Sequence, residues 1–458
     1  MPKLYKDILY LIFQELQDNK ETLYSCLFVD KTWCETIIPI LWKDPWKFLK
    51  NGCKLRKREK LLNLINSNLS DESKNKLGQY FNFSYKKPLF NYVSYCKHLN
   101  LIEIKKIINN DTLIIQLEII NLLINENTKF THLYIPKQFN YQINLFPGFQ
   151  NCFSNIVFLS CSSNIGDNVL DGLSKICKSI KELELIIDEN NNNYDIIKLI
   201  DIPTNLINVR LLIKYDFYIH INYEPFHKIL EKSLMKHSNT IRYLKITKQP
   251  TLMILSSFIY LIRLELDCSC LGSRHYQWNC LENLSLPFLQ ILKARYVPIK
   301  PITNLIENTS GSLDEIKIDY TYHSENDNKR IIQVIYHNCS NLKYLTLVIK
   351  SNNLIELEKL LITCKYLIKL NILTDDRVFD WNNLFDLLIR LSPITLYKFK
   401  FYNSYVSPDL DSLKLFLDNW KGRNSLLLKF NMDINDEYSD LIEKYKAEGV
   451  INKFDYYS

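Results

Sequence analysis

The sequence predicts an α/β chain in which a small three-helix unit leads into an irregular solenoid of strand–helix repeats. Short parallel strands are expected on its concave side and helices on its convex side. Three observations carry this. The first 46 residues have the apolar period of short amphipathic helices. From residue 96 onward one aliphatic pattern, L-x-x-L-x-L, recurs along the chain. Stretches of helical period lie between the copies. The expected segments are a helical unit over 1–46, a helical connector over 47–95, the solenoid over 96–434 and a terminal cap over 435–458.

Leu4, Ile8, Ile12 and Leu16 recur every fourth residue, with Leu9 and Phe13 beside them, as in an amphipathic helix. The run from Ile8 to Phe13 is apolar throughout and wider than one buried face needs. A unit of about 45 residues buries too little of its surface to hide all of it. The surplus is therefore an exposed apolar patch of the kind that marks a partner surface. A second helix is predicted over Thr22–Phe28, capped by Asp18 or Asn19, with Leu23, Leu27 and Val29 facing inward. Asp30 caps a third helix carrying Trp33, Ile37 and Ile38, which Pro39 ends or kinks. Leu41, Trp42 and Trp46 close the unit.

This stretch resembles an F-box. The match runs through Leu4, Asp7, Ile8, Leu9, Ile12, Phe13 and Leu16, and continues at Leu23, Cys26, Val29, Lys31, Trp33, Pro39, Leu41 and Trp42. The chain departs from the family where Leu4-Tyr5 replaces the usual Leu-Pro and Asp7 the commoner Glu. The resemblance implies docking to a Skp-type adaptor and, through it, to a cullin. It places that contact on Leu4, Tyr5, Ile8, Leu9, Leu11, Ile12, Phe13, Leu16, Val29 and Trp33. Without the resemblance, the same helices read as a bundle that caps the rest of the chain.

In the connector, KLRKREKLLNLI reads as a helix with a wet face of Lys54, Arg56, Lys57, Arg58 and Lys60 over a dry face of Leu55, Leu61, Leu62 and Ile65. The alternative is a nuclear address or a phosphate-binding patch. Ser70 opens a short helix toward Tyr80. The repeat copies then begin with Leu99, Ile102, Ile104; Phe130, Leu133, Ile135; Ile156, Leu159, Cys161; Ile180, Leu183, Leu185; and Leu206, Val209, Leu211. They continue with Ile241, Leu244, Ile246; Leu261, Leu264, Leu266; Leu281, Leu284, Leu286; and Leu313, Ile316, Ile318. Leu342, Leu345, Leu347; Leu367, Leu370, Ile372; Leu396, Phe399, Phe401; and a weaker Leu427, Phe430, Met432 complete the series. The spacing, about 20 to 35 residues, is in or near the range of leucine-rich repeats. Each x-L-x-L is a short strand with one buried face. A single strand and helix cannot bury their own apolar surface, but stacked neighbours can.

Cys96, Cys177, Cys339 and Cys364 each stand three residues before the first aliphatic position of a copy. The segment with Cys161, Ile165, Asp167, Leu170, Leu173, Cys177, Leu183 and Leu185 resembles the cysteine-containing leucine-rich repeats of F-box proteins. At the end, Asn435 or Asp436 caps a helix through Leu441, Ile442 and Tyr445, which Gly449 stops.

Composition narrows the function classes. A net charge of +7 over 458 residues is spread along the chain, so no nucleic-acid partner is expected. Met1 to Gln14 is broken by Lys3, Lys6 and Asp7 and does not read as a secretory signal. No apolar run is long enough to span a bilayer, the nearest being Leu113–Ile124. An intracellular address, cytoplasmic or nuclear, follows, with the 12 cysteines as free thiols. No phosphate-cradling loop, zinc-protease helix or nucleophile elbow is present, and 9 glycines leave little room for one. No enzyme activity and no cofactor are therefore expected. Cys268, Cys270, His275 and Cys280 could be zinc ligands, but Cys-x-Cys is tighter than the usual spacing, and they read as buried thiols beside a loop histidine.

The array instead offers a binding wall. Side chains between the buried strand positions point into the concavity, acidic around Glu182, Glu184 and Asp267 and more basic from Lys369 to Lys400. Tyr243, Lys245, Arg263, Glu265, Asp267, Lys317, Tyr344 and Lys398 are the expected contacts for a target protein, since Tyr and Arg dominate hot spots. The expected function is that of a substrate receptor of an SCF-type ubiquitin ligase. The alternative is a leucine-rich-repeat scaffold or recognition module with no ligase role.

Overall fold

A computed structural model describes residues 5–49, 55–78, 88–108, 113–139, 141–188, 193–214, 224–269, 278–319, 324–403, 405–431 and 436–456. The chain forms two compact units, Met1–Leu206 and Ile207–Ser458, the division falling inside the expected repeat array.

The first unit opens with helices α1 (Lys6–Glu15), α2 (Lys20–Cys26) and α3 (Lys31–Trp42). The expected caps form: Asn19 accepts from the Thr22 amide (3.2 Å) and Asp30 from the Trp33 amide (2.8 Å). Leu9, Phe13, Leu23, Ile37 and Leu41 make the core, with Leu16, Leu27, Trp33 and Trp42 packed at its edge. Two expectations change. Val29 does not face inward but is exposed. Pro39 does not end α3, which runs on to Trp42. A mid-helix proline costs about 3 kcal/mol. Burial of Ile37, Ile38 and Leu41 on either side, at about 1.5–3 kcal/mol each, offsets that loss.

Helices α4 (Leu55–Ser67) and α5 (Asp71–Leu77, capped by Ser70) pack on α6 (Leu101–Ile108) and α7 (Leu113–Leu123). Lys54 and Tyr80 lie outside the described residues. Strands β1 (His98–Asn100), β2 (His132–Tyr134), β3 (Phe158–Ser162) and β4 (Glu182–Asp188) pair in parallel in chain order. In the first copy only Leu99 lies in a strand. Ile102 and Ile104 belong to α6, because Asn100 bonds the Glu103 amide (3.0 Å) and starts a helix there.

The second unit has ten described strands, parallel and in chain order: β5 (Asn208–Lys214), β6 (Tyr243–Ile246), β7 (Arg263–Asp267), β8 (Ile291–Arg295), β9 (Glu315–Asp319), β10 (Tyr344–Val348), β11 (Lys369–Thr374), β12 (Lys398–Asn403), β13 (Leu426–Asn431) and β14 (Ile451–Tyr456). After α8 (Phe149–Phe153), α9 (Asp167–Ile176) and α10 (Lys198–Asp201) of the first unit, the second unit carries α11 (Glu224–Met235), and helices α12 (Ile299–Glu307), α13 (Glu325–Asn338), α14 (Leu354–Thr363), α15 (Trp381–Leu391), α16 (Leu410–Asn419) and α17 (Asp436–Ala447) pack successively beside one another. Alternate strand residues meet them: Phe401 lies edge-on to Phe385 of α15 (5.7 Å), and Phe399 to Phe416 of α16 (6.1 Å).

Two copies are displaced. Leu281, Leu284 and Leu286 are buried in turns, and the strand of that repeat is β8, set by Leu289, Leu292 and Ala294. In β13 the buried residues are Leu426, Leu428 and Phe430, two positions out of register with the expected copy, of which Met432 lies outside the described residues. Asn435 lies outside them too. Past α17, Gly449 adopts φ +74° and the chain adds β14 as a further parallel strand, which the expected cap did not include.

Three of the four cysteines that precede a copy sit in a turn. Ile180, Leu342 and Leu367 each donate a backbone N–H to the carbonyl of the cysteine three residues before (3.1–3.2 Å), turning helix into strand. Burial pushes the Cys96, Cys177, Cys339 and Cys364 thiols up to about 12, so they serve as small apolar groups.

Candidate functional site

Helix α1 sorts its apolar residues into two stripes. Leu9 and Phe13 point into the core, Phe13 edge-on to Trp33 at 5.1 Å. Tyr5, Ile8, Leu11 and Ile12 stay exposed, Leu11 at 62% and Tyr5 at 80%. Phe28 at 87% and Val29 add exposed apolar surface after α2. Of the expected adaptor contacts, Leu9 and Phe13 are therefore core residues that no partner reaches while the helices stay folded. Leu16 and Trp33 are half-buried against that core. Leu4 lies outside the described residues. Phe28 was missed, its position just past a short helix hiding it from any periodicity.

The three helices are tied to the first strand through the far end of α3. Lys97 donates its amide to the Lys43 carbonyl (2.9 Å), and the Trp46 indole donates to the His98 carbonyl (2.6 Å). Asp44 Oδ2 lies 3.3 Å from His98 Nδ1. His98 stacks on His132 at 3.8 Å, and His132 on Phe158 at 5.3 Å. Burial, reinforced by His98, lowers His132 to about 4, with Asp44 opposing. Burial raises the Asp44 carboxyl, but the bond and charge of His98 outweigh it and hold it below its usual range.

On the second unit the expected target contacts divide into two groups. Tyr243, Lys245, Arg263, Glu265 and Asp267 form one closed network. Tyr243 Oη donates to Glu265 Oε2 (3.1 Å) and accepts from Arg210 Nε (3.4 Å), while Arg263 Nε donates to Glu265 Oε1 (2.9 Å). The Arg263 and Arg210 guanidiniums lie 4.9 and 5.2 Å from the Tyr243 ring centre. Lys245 lies 3.8 Å from both Glu265 and Asp267. Burial raises the Glu265 carboxyl, but Arg263, Lys245 and Tyr243 together hold it below the usual range.

Lys317 and Tyr344 line a groove of about 740 Å³ on the open sheet face. Lys398 lies beside it, its ammonium 5.1 Å from the Tyr397 ring. Lys293, Thr346, Asn371 and Lys429 also line it and were not expected. Lys293 was lost with the displaced eighth copy. Thr346 and Asn371 occupied the right pattern position but carry no charge.

Of the four zinc-type residues, Cys270 and His275 lie outside the described residues. Cys268 is buried and accepts from the Trp278 indole (3.1 Å), and Cys280 is buried nearby. Among the described residues no cluster of His, Cys, Asp and Glu is placed to hold a metal ion. No described helix is long and apolar enough to cross a membrane. No family model matches the chain, and no curated protein was found to match it.

Proposed function

We propose that this chain is the substrate receptor of an SCF-type, cullin-RING ubiquitin ligase. Helices α1–α3 act as an F-box that docks a Skp-type adaptor, and the open strand faces hold a target protein. The carrying observation is the outer stripe of α1: Tyr5, Ile8, Leu11 and Ile12 are exposed although buried alternatives exist on the same helix. Large apolar side chains gain about 1.5–3 kcal/mol each when fully covered, which is the driving force for a partner there. The receptor makes and breaks no bonds. It raises the effective concentration of the target near the conjugating enzyme, into the millimolar range for a short tether.

A second reading, that α1–α3 only cap the repeats of a recognition module, draws support from the Trp46–His98 and Lys97–Lys43 bonds. Those bonds leave from the end of α3 and leave the α1 stripe uncovered, which favours the first reading. Adaptor pull-down separates the two. Wild type captures a Skp-type adaptor and the Ile8→Asp, Ile12→Asp double variant does not. Equal capture by both, or by neither, rejects the ligase reading.

A further inference from the structure

Helix α7 carries more apolar surface than its neighbours cover. Its sequence, LIIQLEIINLL, is apolar everywhere but at Gln116, Glu118 and Asn121. A helix apolar on every side is ordinarily buried on every side. Ile115, Ile119, Ile120 and Leu123 follow that rule, but Leu113 in the first turn is 55% exposed. Leu113 lines a cavity of about 400 Å³ within the first unit, a volume in the range of small-ligand sites. The cavity lies between α6, α7 and the segment that follows β2. Its buried wall is Leu101 and Ile104 from α6, Ile120 from α7 and Phe139. The two described rings that line it, Phe139 and Tyr141, meet edge to face at 4.9 Å and form no slot for a planar ligand.

A second observation concerns the polar groups of the same cavity. Gln116 is a lining residue and only 8% exposed. Its Oε1 accepts from the Tyr141 hydroxyl at 2.6 Å, while its Nε2 has no hydrogen-bond partner among the described residues. Nε2 is not one of the sealed orphan atoms, so a molecule in the cavity can reach it. A donor left unmade in so buried a side chain is costly. Lys105 lines the cavity too, is exposed, and has no ion-pair or hydrogen-bond partner among the described residues. The other lining lysine, Lys137, is held by Asp188 at 2.5 Å. Among the described residues no acidic side chain lines the cavity. Leu113 and Gln116 also stand at the start of α7, the positive end of the helix dipole. The cavity thus offers an apolar interior and two free donors to an anion.

We infer that this cavity binds an aliphatic carboxylic acid in its ionised form. The alkyl chain lies among Leu101, Ile104 and Ile120, with Leu113 over it at the mouth. The carboxylate accepts from Gln116 Nε2 and Lys105 Nζ. A carboxylate fits better than a phosphate, because one free ammonium matches a single negative charge and a phosphate brings up to two. An alkyl body fits better than an aryl one, because the wall is mainly branched aliphatic and its rings already pack on each other. Covering Leu113 and the buried wall supplies the apolar driving force. The site is separate from the outer stripe of α1 and from the sheet face of the second unit, and stands whether or not either of them has a partner.

The test is calorimetric titration of the full-length protein with decanoate, decan-1-ol, decyl phosphate, naphthylacetate and acetate, each below any micelle-forming concentration. Decanoate should bind saturably at a single site and raise the melting temperature as its concentration rises. Decan-1-ol, decyl phosphate and naphthylacetate should each bind at least about tenfold more weakly, and acetate not at all. Lys105→Gln should weaken decanoate about tenfold and leave decan-1-ol unchanged, a split that loss of fold would not produce. Leu113→Asp places an acid at an exposed helix start, where the dipole favours it. It should abolish decanoate binding while the unliganded protein melts as before. Lys175→Gln, exposed on α9 and outside the cavity, should leave binding intact. Absence of saturable binding, or binding at many sites, would overturn the inference. So would decan-1-ol, decyl phosphate or naphthylacetate equalling decanoate, or indifference to Lys105→Gln.

Discussion

Helix α1 and the Tyr243 network dispose of their exposed side chains in opposite ways. The network closes on itself: each charge and hydroxyl around Tyr243 finds a partner on its own or the neighbouring strand. The outer stripe of α1 finds none, because Leu9 and Phe13 already fill the small core and Ile8, Leu11 and Ile12 are left over. Polar groups can satisfy one another on an open surface. Apolar groups on a convex helix cannot, and only a second molecule covers them. A side chain's place on a surface is thus a weaker guide to function than whether its neighbours already satisfy it.

The largest test of this contrast lies within α1. Phe13→Ala should cost about 3–5 kcal/mol in urea unfolding, as a buried aromatic lost from a core. Leu11→Ala, two residues away, should stay within about 0.5 kcal/mol. Similar losses at both would mean that the two stripes do not differ. A smaller effect is expected at the joint between the helices and the first strand. His132 titrates near 4 when folded and near 6.5 when unfolded, so the unfolded chain takes up the proton first. Its contribution is complete above pH 6.5 and is lost as pH falls toward 4, as the proton is forced into the stack between His98 and Phe158. Melting temperatures across pH 7 to 4 should fall for wild type and fall less for His132→Phe. Equal slopes would remove His132 from the account. Smaller still, Glu265→Ala should destabilise by about 1 kcal/mol, because Tyr243 Oη and Arg263 lose their acceptor at a partly solvated site. No change in the urea midpoint would show that the network contributes nothing.

Much of this was legible in the sequence. The L-x-x-L-x-L pattern locates β2 through β7 and β9 through β12 because its apolar positions face a buried helix layer at a fixed period of two. It fails at β8, where Ala294 takes an aliphatic position while Leu281, Leu284 and Leu286 imitate a better copy in a turn. It also fails at β14, whose Asn452, Lys453 and Asp455 break the alternation in the last strand. In α1 the four-residue period is satisfied by two stripes at once. Periodicity cannot say which of Ile8–Ile12 or Leu9–Phe13 turns inward, since that depends on where Leu23, Ile37 and Leu41 meet it. The groove was half legible: Lys317, Lys369 and Lys400 showed and Lys293 and Lys429 did not, and an uncharged Asn371 with an orphan acceptor shows only once its neighbours are in place.

The central claim is that the outer stripe of α1 is a docking face. Calorimetric titration of a purified Skp-type adaptor into the full-length chain tests it most directly. The account predicts saturable binding for wild type, weakened at least about tenfold by Leu11→Asp with the melting temperature unchanged. Absence of binding, or an affinity that Leu11→Asp leaves untouched, would contradict it.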